Sequence, residues 1–291
     1  MITRRTFLAV AGVASLVACA PGTGSTLDRA RSNGALRVGL SGEEPFGYTD
    51  TGGRITGSQP EVARAVLAGM GIGSLDAVQV GFDQLIPGLL AGQFDMIAAG
   101  MSVTPARCAR VAFSRPDFLA PPAFLVRTGN PRGIRTFRDV ARSGVRLAVL
   151  PDSSERDYAR AAGVSDDQLV DYGSQGALFR AVAAQDVPVG ALTAISLADV
   201  LRRNPGSGVE VTAPVDPTIA GRAVVPAGAF AVRPADADLL APFDAGLAAL
   251  QSSGEWLRIT APFGFGPANL PPTNLTVDAL CGPEPKLPGS N

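Results

Sequence analysis

Short apolar runs alternate with segments whose apolar residues recur every three or four positions. Leu36-Arg37-Val38-Gly39-Leu40, Ala77-Val78-Gln79-Val80 and Phe94 to Ala99 read as strands. Between them, Val62, Val66 and Met70 recur at helical spacing after Ser58-Gln59-Pro60-Glu61, where the serine is expected to cap and the proline to sit in the first turn. Asp83 is expected to cap a helix from Gln84 to Ala91, whose apolar face carries Leu85, Ile86 and Leu89. The alternation repeats further on. Strands are expected at Arg146 to Leu150 and Val187 to Leu192, with helices near Glu155 to Ala162, Ser174 to Ala184 and Ser196 to Arg203. A long helix from Asp236 to Ser252 and a last one after Gly254-Glu255-Trp256-Leu257 complete the series. Strands alternating with helices argue for an α/β protein with parallel sheets.

Two apolar segments end at chain breakers: Ala123 to Arg127 before Gly129-Asn130-Pro131, and Ala229 to Arg233 before Pro234. They read as crossings between two domains. The expected first domain is discontinuous, 36–126 and 229–265, and the second spans 127–228. Two extended crossings suit a hinge, because few residues need to absorb a rotation. Residues 19–35 read as a tether with a short helix near Leu27 to Arg31, and 266–291 as a Pro-rich irregular tail.

The first 18 residues follow another pattern. Arg4-Arg5-Thr6-Phe7-Leu8 opens an apolar run to Ala18 that is short for a bilayer span and fits a signal peptide. Leu16-Val17-Ala18-Cys19 resembles a lipobox, which implies cleavage before Cys19 and a lipid on that residue. The arginine pair resembles a twin-arginine signal, with the general secretory route as the alternative. No second long apolar stretch is present, so the expectation is an exported body, soluble and lipid-anchored at the outer face of the cell membrane.

Composition removes whole classes of chemistry. Histidine is absent, which excludes His-based nucleophilic triads and His-ligated metal sites. A net charge of -1 gives no electrostatic footprint for nucleic acid. The two cysteines beyond Cys19, Cys108 and Cys281, read as one disulfide in an exported protein, with two free buried thiols as the alternative. No cofactor and no metal is expected.

The order of elements resembles the family 3 extracellular solute-binding proteins of ABC importers. The resemblance rests on Gly42-Glu43-Glu44-Pro45-Phe46-Gly47-Tyr48 after the first strand, on Gly53 to Glu61, on Ala99-Gly100-Met101-Ser102-Val103-Thr104-Pro105-Ala106-Arg107, on Phe113-Ser114-Arg115-Pro116-Asp117-Phe118, and on Ser253-Gly254-Glu255-Trp256. It covers residues from about 36 to 265. It implies a two-domain fold of the type II periplasmic-binding-protein kind, each domain a mostly parallel sheet flanked by helices, joined by two hinge strands. It also implies a non-enzymatic, monomeric receptor that hands a small ligand to an ABC permease. Within the family the chain looks most like binding proteins for ectoine and hydroxyectoine. The glutamate-rich first loop, the cysteine directly after Arg107 and Leu280-Cys281 carry that narrower likeness, and it implies a Cys108–Cys281 disulfide.

By the same resemblance, Arg107 grips a ligand carboxylate, for which a guanidinium offers a matching fork of donors. Gly100 and Ser102 add contacts beside it. Glu43 faces the ligand's cation and Phe46 and Phe82 its ring, with Glu44 as the alternative acid. Ser153 or Ser154 closes the site from the second domain, near helix amides that favour an anion. Asp171 is a further acid there, although direct alignment brings Tyr172 to its place. Two departures bear on the ligand. Gly190 falls where relatives that bind primary α-amino acids carry an aspartate, and Ser102 falls where ectoine binders carry a third aromatic. A zwitterionic compatible solute is the first expectation and a polar amino acid or derivative the second. Two other classes compete: a dehydratase of cyclic carboxylates with Glu43 as general acid, and a sensing domain, for which no signalling segment follows.

Overall fold

The computed structural model describes residues 24–282, so the expected signal segment, Cys19 and the last nine residues lie outside the described part. Two five-stranded sheets carry the fold. In the first, the spatial order is Ser74–Gln79, Ala35–Leu40, Met96–Ile97, Ala231–Val232, Ala112–Phe113. In the second it is Leu169–Asp171, Leu147–Val149, Val189–Thr193, Pro122–Arg127, Val209–Val211. The two orders correspond place by place. In each, the strand in fourth place has arrived from the other lobe and runs antiparallel to both neighbours. The other pairings are parallel. Four strands of each sheet therefore run the same way, as expected, and the one reversed strand that makes each sheet mixed is the strand that arrives from the other lobe.

The central strands of each sheet are buried on both faces, which is why they read as continuous apolar runs. In the second lobe Phe124 and Val126 pack with Phe137, Leu147 and Tyr158, while Ala123 and Leu125 pack on the opposite face with Leu178, Leu192 and Leu197. In the first lobe Leu36, Val38 and Leu40 meet Val62, Leu67, Phe243 and Trp256. Ile97 and Phe113 face Leu85, Leu89 and Phe94.

Several sequence expectations shift. Pro122–Arg127 belongs to the second sheet, so the expected boundary after residue 126 moves toward the amino terminus. The crossings are the strands Phe118–Leu119 and Ala227–Gly228, which pair with each other. Thr26–Asn33 is a helix with a Ser25 capping box, docked on the first lobe through Leu27 and Ala30, so these residues belong to the lobe and not to the tether expected over 19–35. Gly57, not Ser58, precedes the helix Ser58–Gly69, and no side chain caps it. Asp83 lies inside a 3₁₀ turn and leaves the helix Leu85–Leu90 uncapped. The tail after Gly266 contains a short helix, Val277–Leu280. That helix is anchored by a disulfide between Cys108 and Cys281, whose Cα atoms are 5.8 Å apart. No helix among the described residues is long and apolar enough to cross a membrane.

Candidate functional site

Strands of both lobes end at the cleft, and the loops after them carry polar groups toward it, as open α/β sheets do at the carboxyl ends of their strands. After Leu40 the chain turns sharply, with the Phe46 and Gly47 amides both donating to the Glu43 carbonyl, at 2.9 and 3.1 Å. A side chain on Gly47 would strike the Ala98 carbonyl, so only glycine brings this loop against the third strand. The turn separates neighbouring acids. Glu43 is buried and faces the cleft, whereas the Glu44 carboxylate reaches out to Arg203 of the second lobe at 3.1 Å.

A small cavity lies between the lobes. Glu43, Phe46, Phe82, Gly100 and Ser102 line it from the first lobe. Leu150, Ser153, Ser154, Glu155, Leu192 and Thr193 line it from the second. Its free volume is about 20 Å³, room for about one water, so the lobes are closed on each other. Seven of the nine residues expected to bind ligand thus meet in one place. Arg107 stands at its edge, with its guanidinium 5.3 Å from the Phe82 ring centre. One terminal nitrogen donates to the Ser102 carbonyl at 2.8 Å, and the other crosses the cleft to the Asp152 carbonyl at 2.7 Å. In this closed form the fork holds backbone carbonyls of both lobes.

Asp171 does not belong to the site. It is exposed and ion-paired with Arg156. Its strand, Leu169–Asp171, is at the far edge of the second sheet, away from the crossings. Gly190 also lies off the site. The space beside it is filled by Leu178, and the cavity end of that strand is Leu192 and Thr193. Thr193 caps the helix Ala194–Arg203.

Sequence reasoning missed Glu155, Thr193 and the groups that hold the first-lobe wall. Glu155 follows Ser153, whose side chain caps the helix Ser154–Ala161, and so points into the cleft from the first turn. A glutamate after a capping serine is a common helix start, so only closure of the lobes marks it. Gly100 has φ +73°, and a Cβ there would meet the Phe46 ring. Its amide donates to buried Gln59 at 2.7 Å. Gln59 in turn donates to Asp117 at 3.3 Å, and Trp256 donates to the same carboxyl at 2.8 Å. This chain ties the cavity floor to the crossing at Phe118. Phe46 is packed against Phe118 and Phe265, with ring centres 5.0 and 5.8 Å away.

Burial sets the electrostatics. It pushes Glu43 and Glu155 each up to about 7, opposed at Glu43 by the nearby Ser196 hydroxyl and at Glu155 by its own amide, the Arg107 guanidinium and the Ser153 hydroxyl. It pushes Asp117 up to about 6. The Arg107 guanidinium is shifted down by burial, opposed by nearby acids. Beyond the cavity, the Glu44 carbonyl accepts from Gln175 at 2.7 Å and from the Ser196 hydroxyl at 3.3 Å. With Arg203 these form a polar latch across the cleft mouth.

Residues 36–266 match the family model for bacterial extracellular solute-binding proteins, family 3, and the chain belongs to that family. It is 32% identical over 248 residues to a probable amino-acid ABC transporter periplasmic-binding protein of Sinorhizobium fredii, covering 84% of this chain and 82% of that one. Among solved structures, the hydroxyectoine complex of EhuB superposes with a TM-score of 0.79 at 31% identity, over 88% of this chain and 97% of that one. An ancestral amino acid-binding protein described as a precursor of cyclohexadienyl dehydratase gives a TM-score of 0.70 at 26% identity, over 82% and 99%. Membership implies an exported protein that serves an ABC importer, binding an amino-acid-like or ectoine-like solute.

Proposed function

We propose that this protein is a lipid-anchored receptor, tethered through Cys19, that closes on a small zwitterion of the ectoine class and delivers it to an ABC permease without chemical change. One observation carries the reading: the cavity between the lobes gathers an acid, Glu43, two aromatic rings, Phe46 and Phe82, and an arginine, Arg107, at its rim. An anion for a delocalised cation, ring faces for a flat heterocycle and a guanidinium for a carboxylate are the groups such a solute needs. Opening of the lobes would part Asp152 from Arg107 and free one terminal nitrogen for the ligand carboxylate. The likeness to a hydroxyectoine complex supports the same class. An amino acid is the second reading, favoured by the Sinorhizobium relative.

Calorimetry of the mature protein with ectoine, hydroxyectoine, glutamine, arginine and a disaccharide tests the choice. Ectoine or hydroxyectoine is expected to bind most tightly. Tight binding of one amino acid with no ectoine heat moves the assignment to the second reading, and tight sugar binding refutes both.

A further inference from the structure

Two carboxyls enter one dry cavity from opposite lobes. Glu43 and Glu155 are only 7% and 6% exposed, and neither forms an ion pair among the described residues. Arg107 bears on Glu155, but both its terminal nitrogens donate to carbonyls. The other ionisable groups around the pair add no positive charge. The helix that carries Glu155 brings Asp157 and Tyr158, and the loop before it brings Asp152. The helix that brings Ser196 to Glu43 also carries Asp199, Arg202 and Arg203. There the two arginines pair with Asp199, and Arg203 also with Glu44.

Two like charges in a space for about one water, with Arg107 opposing the charge of Glu155 alone, cannot both persist in such a place. We infer that Glu43 and Glu155 form one cation subsite that exchanges a proton for the positively charged group of the ligand. The exchange balances: a carboxyl O–H gives its proton to the solvent, and an N–H of the incoming cation donates to the carboxylate left behind. Because the two acids approach from opposite lobes, the subsite suits an amidinium, guanidinium or ammonium with N–H groups on two sides. The elevated proton affinity of both carboxyls agrees with this, since burial raises each and Glu155 raises Glu43 further. The inference rests on the proposed function only in requiring a cationic ligand.

Calorimetry near pH 6 in two buffers of contrasting ionisation enthalpy, with ectoine and with arginine as probes, counts the protons. About one proton is expected to leave per ligand bound near pH 6 and almost none near pH 8.5, with affinity falling up to about tenfold per pH unit below neutrality. Glu155→Gln is expected to cut the proton count at pH 6 by about half or more, an effect that lost packing alone would not produce. Ligand binding with no proton release at pH 6, or an unchanged count in Glu155→Gln, overturns the inference. Carboxyl ¹³C titration of the ligand-free receptor, with Glu43→Gln and Glu155→Gln to assign the signals, decides independently of any ligand. Two coupled steps near neutrality support the subsite, and ordinary glutamate titration removes it. Absence of heat with every probe at both pH values refutes the proposed function and leaves the carboxyl titration to judge the inference.

Discussion

The two walls of the cleft are made in different ways. The first-lobe wall is set before any ligand arrives. Phe46 is locked by Phe118 and Phe265, Gly100 is held through Gln59 and Asp117, and the disulfide fastens the segment after Arg107. The second-lobe wall consists of helix starts. Ser153 and Thr193 cap their helices, and Glu155 rides in the first turn of one of them. Those groups meet the first wall only when the crossings at Phe118–Leu119 and Ala227–Gly228 bring the lobes together. One wall positions and the other closes, so changes in the first should affect both stability and binding. Changes in the second should affect binding and its pH dependence.

The largest effect is expected at Phe46. Phe46→Ala removes a ring that is almost wholly buried, so about 3–5 kcal/mol of stability should go with it, well beyond the loss of a stacking contact. Chemical denaturation measures this, and a loss under 1 kcal/mol would mean that the first wall is not preset. Arg107→Ala comes next. Removing a desolvated charge that binds both lobes should weaken ligand binding by about 2–5 kcal/mol, with circular dichroism unchanged. Binding within a few-fold of wild type would separate Arg107 from the site.

A third effect belongs to the buried acids of both walls. Glu43 and Glu155 titrate at about 7 and Asp117 at about 6 when folded, each above its unfolded value. Between about pH 4 and 7 the folded chain therefore holds more protons than the unfolded one. Stability present at low pH is lost as pH rises through the folded values, by roughly 3 kcal/mol for each carboxyl at most. Without ligand, the melting temperature should fall by several degrees from pH 5.5 to 8. Glu43→Gln and Glu155→Gln should flatten that slope, and a rising curve would contradict the burial of these acids.

Smaller effects come from the mouth of the cleft. Arg203→Ala removes one latch contact without touching the cavity, so ligand affinity should drop about three- to tenfold, chiefly through faster dissociation. Stopped-flow release of ligand measures it, and an unchanged off-rate would show that the latch does not hold the closed form. The smallest change is expected at Asp171. Asp171→Asn breaks an exposed ion pair worth at most about 1 kcal/mol and should leave affinity within twofold. A larger loss would bring the second wall's edge strand back into the site.

The sequence by itself determined the α/β architecture and the segments that carry the first-lobe lining, from Gly42 to Tyr48 and from Ala99 to Arg107. Those features are local. A strand buried on both faces must be an apolar run, and the segments around Glu43 and from Gly100 to Arg107 each lie within a dozen residues of chain. Folding decided the rest. Mixed sheets follow from where the crossing strands insert, which no periodicity reports. Glu43 and Glu44 are chemically identical neighbours, and only the turn closed by the Glu43 carbonyl sends one inward and the other to Arg203. Glu155 and Asp171 are both acids in the second lobe beside strands of one sheet, and their different fates follow from distance to the hinge. Membership of a site shared between two lobes is set by the closure that brings residues some hundred positions apart into one dry space, where burial raises the proton affinity of both Glu43 and Glu155.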